Sequence, residues 1–127
     1  MRKLIFKTDH SVSYFDYHNS LCQLLLRSSY WDNNILYNLD ILFVAVQVLQ
    51  TKTCFNGLEL YEGDVNDIEA LSNSEENKLY FKVGLKLFVL ISEGNEHFII
   101  AGFVKIGINT LPNRQTSIEM KKDWYVG

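Results

Sequence analysis

Thr51-Lys52-Thr53-Cys54-Phe55-Asn56-Gly57-Leu58-Glu59-Leu60-Tyr61 sets the dipeptide Asn-Gly between two stretches that carry strand-forming residues. Both central residues of a type I′ turn need positive φ, which asparagine and glycine adopt at least cost, so the spacing predicts a tight hairpin at Asn56-Gly57. A second signal agrees: Leu79 to Ser92 and His97 to Asn109 flank Glu93-Gly94-Asn95-Glu96, where Gly94-Asn95 fits a two-residue primed turn. Gly84, Gly102 and Gly107 fall inside these runs and are expected at bulges or close backbone approaches. Strands joined by tight hairpins imply a mostly antiparallel sheet.

Toward the N-terminus, Arg2 to Thr8 reads as a strand near a sheet edge, with Leu4 and Phe6 on one side. Tyr14, His18, Leu21 and Leu25 then recur at i, i+4, i+7 and i+11 behind Ser11 and Ser13, either of which is a helix cap. This spacing predicts a helix over Tyr14 to Arg27, ended by the turn chemistry of Ser28, Ser29 and Trp31 to Asn34. Ile41 to Val46 is continuously apolar and fits a buried strand or a buried helix; its β-branched and aromatic content favours strand. Asp64 ahead of Val65, Ile68 and Leu71 predicts a short capped helix, with Ser72 to Asn77 a loop. Pro112 marks a turn, and Gln115 to Val126 is a last strand or short helix. The fold class that follows is α+β: a mostly antiparallel sheet built from hairpins, with one main N-terminal helix on a face.

At 127 residues and 47% hydrophobic content, the chain reads as one globular domain, residues 1–127, with ample material for a core. The longest apolar runs, Ile41 to Val46 and Phe98 to Val104, fall far short of the roughly 20 residues of a membrane span. Asp9 and His10 interrupt the N-terminus before a secretory segment accumulates. Cys22 and Cys54 lack C-x-x-C spacing and read as two buried thiols of a reducing, cytoplasmic setting.

Catalytic and metal patterns fail on specifics. His10, His18 and His97 lack H-E-x-x-H spacing, Gly102 to Gly107 has no Lys-Ser/Thr for a phosphate loop, and no G-x-S-x-G occurs. Asp64, Asn66 and Glu75 match three places of a calcium loop, but Ile68 and Glu69 stand where an oxygen ligand and a glycine are required. The expectation is a protein without catalytic residues, cofactor or metal. An enzyme whose site assembles only in three dimensions would need a pocket bringing His97 or Cys22 to neighbouring acids.

Charge patterning says more. Glu59, Glu62, Asp64, Asp67, Glu69, Glu75 and Glu76 lie within eighteen positions that hold no lysine or arginine, while the other 109 residues carry twelve bases against eight acids. Such a local negative field steers cationic partners. Within it, Asn56-Gly57-Leu58-Glu59-Leu60-Tyr61-Glu62-Gly63-Asp64-Val65 resembles the N-G-x-E-I-Y-E-G-D-I segment of YopX-like phage proteins, a mainly β family without a clear biochemical role. The likeness spans ten residues, short of family membership, and implies only a β-rich fold. Beyond Asp64 the family continues into an apolar strand, whereas Val65-Asn66-Asp67-Ile68-Glu69 turns polar.

The functional expectation is a non-enzymatic inhibitor, an immunity protein that neutralises a basic toxin such as a nuclease. Its partner-binding surface would comprise Glu59, Tyr61, Glu62, Asp64, Asp67, Glu69, Glu75 and Glu76. Lysine at Glu62, Asp64 and Asp67 is expected to weaken capture and spare the fold. The rival is a nucleic-acid or small-ligand module on the stretch Lys78 to Phe88, where Lys78, Lys82 and Lys86 would share one strand face among Tyr80, Phe81 and Phe88. An isoelectric point near 5.5 argues against that rival.

Overall fold

Leu24-Leu25-Leu26 and Ile41-Leu42-Phe43 are each buried residue after residue, so the strands that carry them have apolar cover on both faces. The computed structural model describes residues 2–71, 74–112, 115–118 and 124–126. Along these residues run β1 (Lys3–His18), β2 (Gln23–Asp32), β3 (Ile35–Val44), β4 (Val48–Gln50), β5 (Cys54–Glu62), α1 (Val65–Glu69), α2 (Ser74–Lys82), β6 (Lys86–Ser92), β7 (Asn95–Ala101), β8 (Phe103–Asn109) and β9 (Trp124–Val126). Every pairing is antiparallel, in the order β4-β7-β6-β5-β1-β2-β3-β8-β9.

That order closes on itself. β3 passes through Ala45 to Gln47 into β4, and β7 passes through Gly102 into β8. Since β3 pairs with β8 and β4 with β7, these are two bent strands paired along their lengths. The bend is tied by Gly102 N–H to the Val44 carbonyl and Gln47 N–H to the Ile100 carbonyl, each 2.8 Å. A Cβ at Gly102 would meet the Val44 oxygen and the Ala45 Cβ at 3.2 Å, which is why glycine sits at this corner. The result is a closed ring, β1-β2-β3/β4-β8/β7-β6-β5, returning to β1. Phe43 and Phe88 prove the curvature: four strand spacings would part them by about 19 Å in a flat sheet. Their ring centroids are instead 5.4 Å apart, edge to face.

Inside the ring, Val12, Leu24, Leu26, Ile41, Phe43, Phe55, Leu60, Phe88, Leu90 and Ile99 form the main core. Outside it, α1 and α2 bring Ile68, Leu71 and Tyr80 onto Leu87, Val89 and Ile100. On another flank Ile118 covers Leu25 and Leu42. Two outer covers explain why β2, β3 and β6 lack the alternation of a half-exposed strand.

Several expectations are corrected. Tyr14 to Arg27 is not a helix: β1 runs on to His18, turns at Asn19–Cys22 with Cys22 at φ 51, and returns as β2. The i, i+4 spacing there arises from a strand pair that is apolar on both faces, so it carries no helical period. β1 as a whole lies between β5 and β2, pairing with β5 from Lys3 to Ser13 and with β2 from Ser13 to His18, so its Lys3–Thr8 half has a strand partner on one side only, as the edge reading of Arg2 to Thr8 expects. Asn56-Gly57 makes no turn. It lies inside β5 opposite a register shift between Thr8 and Ser11, and Gly57 at φ 83 supplies the positive dihedral of a bulge.

The primed turn is found elsewhere, at Asn33-Asn34, with φ 49 and 65 between the paired Asp32 and Ile35. The β6–β7 hairpin is present, but its turn is Glu93-Gly94, one residue earlier than expected, because Ser92 pairs with Asn95. Ser74 to Asn77 belongs to α2 and not to a loop; residues 72–73 lie outside the described ones. The expected last element is β9 over Trp124–Val126, the rest of it lying partly outside the described residues. The cysteines are free, with Cys54 exposed and Cys22 half-buried, so neither is a core thiol. Among the described residues no helix is long and apolar enough to cross a membrane.

Candidate functional site

The acidic window spans three consecutive pieces of chain that pack on one flank: the end of β5, α1 and α2. Asp64 caps α1, its Oδ1 accepting from Asn66 N–H at 3.0 Å and Asp67 N–H at 3.2 Å. The Asp67 side chain answers by accepting from Asp64 N–H at 2.9 Å. Asp67 also accepts from Arg2 Nε at 2.8 Å, and the two Arg2 terminal nitrogens clasp Glu96 at 2.9 and 3.0 Å. The clasp holds the Glu96 carboxyl below its ordinary range and raises the guanidinium, chiefly through its hydrogen bonds to Glu96. It pins the N-terminal strand to α1 and β7.

Most of the remaining acids also have partners. Tyr61 donates its hydroxyl to Glu59 at 2.5 Å, a bond that raises the phenol above its usual value. Lys7 reaches Glu59 at 4.0 Å, Lys86 reaches Glu62 at 3.6 Å, and Lys78 bridges Glu69 at 3.5 Å and Glu75 at 3.7 Å. The structure therefore gathers the expected site residues on one side, but local bases offset much of their field. Glu62, Asp64 and Asp67 are poor probes of docking, because a lysine there breaks a strand-end ion pair, a helix cap or the Arg2 clasp.

What the sequence reading missed on this flank is apolar. Leu79 is 62% exposed and Val83 76%, with Val65 and Phe81 also exposed in the same helical layer. Glu76 and Leu79 of α2 and Val83 in the turn that follows it stand at i, i+3 and i+7 and share the outward face, while Asn77 is buried and Tyr80 packs toward the sheet. Gly84, at φ 96, ends the helix with Leu85 N–H on the Tyr80 carbonyl and Gly84 N–H on that of Phe81, both 3.2 Å. This stop also removes the geometry of the rival reading. Lys78 and Lys82 lie on a helix and Lys86 begins a strand, so the three share no strand face.

Two other polar centres lie away from the helices. On the outer face of β2, β3 and β8, Arg27 and Asp40 form a two-bond ion pair at 2.6 and 2.8 Å with side chains only 3% and 0% exposed. Asp40 also accepts from Asn109 at 2.7 Å and Ser117 at 2.5 Å, while Arg27 donates to the Gln115 carbonyl at 2.8 Å and lies over the Phe15 ring. Asn38 bridges Asn109 and the Leu111 carbonyl, both at 2.9 Å. The cluster fastens Asn109, Leu111, Gln115 and Ser117 to the barrel wall. The contacts of Asp40 and Asn38 among the described residues are internal, as in a structural cluster.

His97 is the second. Its ring stands edge-on to Phe55 at 5.5 Å and its Nε2 is buried without a hydrogen-bond partner among the described residues. Burial first, and then the charge of Lys52, lowers its pKa from 6.5. The unfolded chain therefore takes up a proton that the folded one resists. Stability is complete above the unfolded value of about 6.5 and falls as pH drops below it toward the folded value. Urea midpoints measured from pH 7 to pH 5 should decline, and His97→Leu should flatten that decline; an equal slope in the variant would contradict the assignment.

Among the described residues no group of three or more His, Cys, Asp or Glu is placed to hold a metal ion. No protein-family model matches this chain, and neither the curated proteins nor the solved structures include a significant match to it. The site must be read from its own chemistry: an antiparallel barrel carrying an acidic helical layer that leaves apolar side chains in water.

Proposed function

We propose that the protein is a non-enzymatic binding protein that docks a basic protein partner on the α1–α2 layer. The observation that carries this reading is the stripe Glu76-Leu79-Val83, where two largely exposed aliphatic side chains follow an exposed carboxylate, beside Glu69 and Glu75. Single exposed apolar residues need no explanation, but Val65, Leu79, Phe81 and Val83 fall within one short layer. Aliphatic anchors set residence time, and a carboxylate rim sets on-rate and excludes acidic partners.

In its most specific form the reading is an immunity protein that occludes a basic toxin. A nuclease is the favoured class, because an enzyme that grips nucleic acid presents a cationic cleft to which carboxylates are complementary. The test is capture from extract of the native host by the wild type and by Glu76→Lys/Leu79→Asp. Both positions are exposed, so the fold should persist. A basic protein should be retained by the wild type, released by salt, and bound at least about thirtyfold more weakly by the variant, as expected for losing roughly 2 kcal/mol at a central anchor. Equal retention by both proteins refutes the helical docking face.

A further inference from the structure

Where β1 pairs with β5, successive residues divide between two faces. Val12 and Phe55, each 1% exposed, point into the core, and the residues on either side of them point out. The outward set is Ser11 paired with Asn56 and Ser13 paired with Cys54, two rows that stand two residues apart along the strands, or roughly 7 Å. These four small polar side chains floor a groove of about 430 Å³ whose rims are Lys52 and Glu93. Asn56 and Glu93 also line the notch that leads on toward Leu58 and Glu59, so Glu93 stands at that end of the groove and Lys52 at the Cys54 end.

The two ends carry opposite charge. Lys52 holds its ammonium over the Phe55 ring, 5.8 Å from the centroid. Glu93 opens the β6–β7 turn at φ 53, a left-handed conformation that glycine or asparagine adopts at lower cost, and strain of this kind collects where a side chain has a task. Lys7, Lys78 and Lys86 each sit beside a carboxylate, whereas among the described residues neither Lys52 nor Glu93 has an ion-pair partner.

We infer that this groove binds a short free peptide in its zwitterionic form, with its carboxylate at Lys52, its ammonium at Glu93 and its central amide over the polar floor. Two extended residues span at most about 7 Å, the separation of the two rows, and a groove of this volume is of the size that takes a small ligand. Both termini gain charge-assisted bonds, and the Ser11 and Ser13 hydroxyls and the Asn56 amide offer donors and acceptors to the peptide group between them. A ligand with only one charge leaves the other end of the groove unmatched. Binding also has a reporter in the wall behind. His97 stands edge-on to Phe55, and the charge of Lys52 is the second cause, after burial, that holds its pKa down. A carboxylate on Lys52 offsets that charge, so the His97 pKa rises when the groove is filled.

The experiment titrates alanyl-alanine into the full chain at low salt and follows amide chemical shifts, with acetyl-alanine, alaninamide and acetyl-alaninamide as the carboxylate-only, ammonium-only and uncharged controls. The dipeptide should move the signals of Ser11 to Ser13, Cys54 to Asn56 and Glu93, and should raise the His97 pKa. Acetyl-alanine and alaninamide should bind roughly five- to tenfold more weakly, as expected for losing one exposed charge pair, and the uncharged control should move none of these signals. Lys52→Met, which keeps an apolar stem on Phe55, should bring dipeptide affinity down to that of alaninamide, and Glu93→Gln should bring it down to that of acetyl-alanine. No shift at these residues, single-charge controls that bind as tightly as the dipeptide, or dipeptide affinity unchanged in the two variants overturns the inference. The groove shares no residue with the α1–α2 layer, so this outcome is independent of docking there.

Discussion

Asp40→Ala is expected to lower folding stability by about 3–5 kcal/mol, the range for breaking a buried ion pair from one side. The cause is what remains. Arg27 keeps a guanidinium that is 3% exposed but loses the two-bond contact with the Asp40 carboxylate, while Asn109 and Ser117 lose the oxygen to which they donate. The loss should appear in urea unfolding as a lower midpoint at unchanged slope. Amide exchange should quicken at Ser117 and Ile118, whose segment the carboxylate holds. Replacing both partners, as Arg27→Met/Asp40→Leu, should recover most of the stability, since a buried pair exchanged for apolar side chains of similar size leaves no orphan charge. A single-variant loss under about 1 kcal/mol would mean that water reaches the cluster.

The second large effect belongs to the barrel interior. Phe88→Ala should cost about 3–5 kcal/mol, because a fully buried aromatic is removed where strands from two walls meet and cannot collapse inward. Closure itself is tested by pairing that variant with Phe43→Ala. If the rings touch edge to face at 5.4 Å, the double-mutant cycle should return a coupling of about 0.5–1.5 kcal/mol. In an open sheet the two residues lie too far apart to couple, so additive losses would contradict a closed ring.

The antiparallel class was legible because turn residues announce hairpins: the Glu93-Gly94 turn falls one residue from where the sequence places it, whereas Asn33-Asn34 was read only as chemistry ending a helix. The short capped helix at Val65 was also legible, since Asp64 and the spacing to Ile68 are local features. Closure was not, for it depends on Ala45 and Gly102 bending two strands together, and a glycine in an apolar run reads equally as a bulge. The false helix over Tyr14 to Arg27 has the same root. A strand covered on both faces loses its alternation, and any apolar run then contains residues four apart. Asn56-Gly57 shows that a residue pair suited to positive φ does not by itself make a turn, because a strand running on beside β1 can spend it on a bulge.

The candidate site was half legible. The carboxylates were visible as a charge run, but their partners were not, since Arg2, Lys7, Lys78 and Lys86 reach them from other turns or strands. The outward apolar stripe was hidden because Leu79 to Val83 reads as strand until Gly84 is known to close a helix. Arg27 and Asp40 did leave a signal: opposite charges abutting the apolar runs Leu24-Leu25-Leu26 and Ile41-Leu42-Phe43, the first read as the end of a helix and the second as a buried strand. Neighbouring positions in two buried runs leave such charges little choice but each other.

Docking through the helical layer is tested most directly by a photo-crosslinking side chain at position 79, with a second placed at position 31, where the exposed Trp31 sits on the β2–β3 hairpin. Irradiation in extract of the native host should join the probe at 79 to a basic protein and leave the probe at 31 unreacted with it. A basic protein joined only through position 31, or through neither, would contradict the helical layer as the docking face.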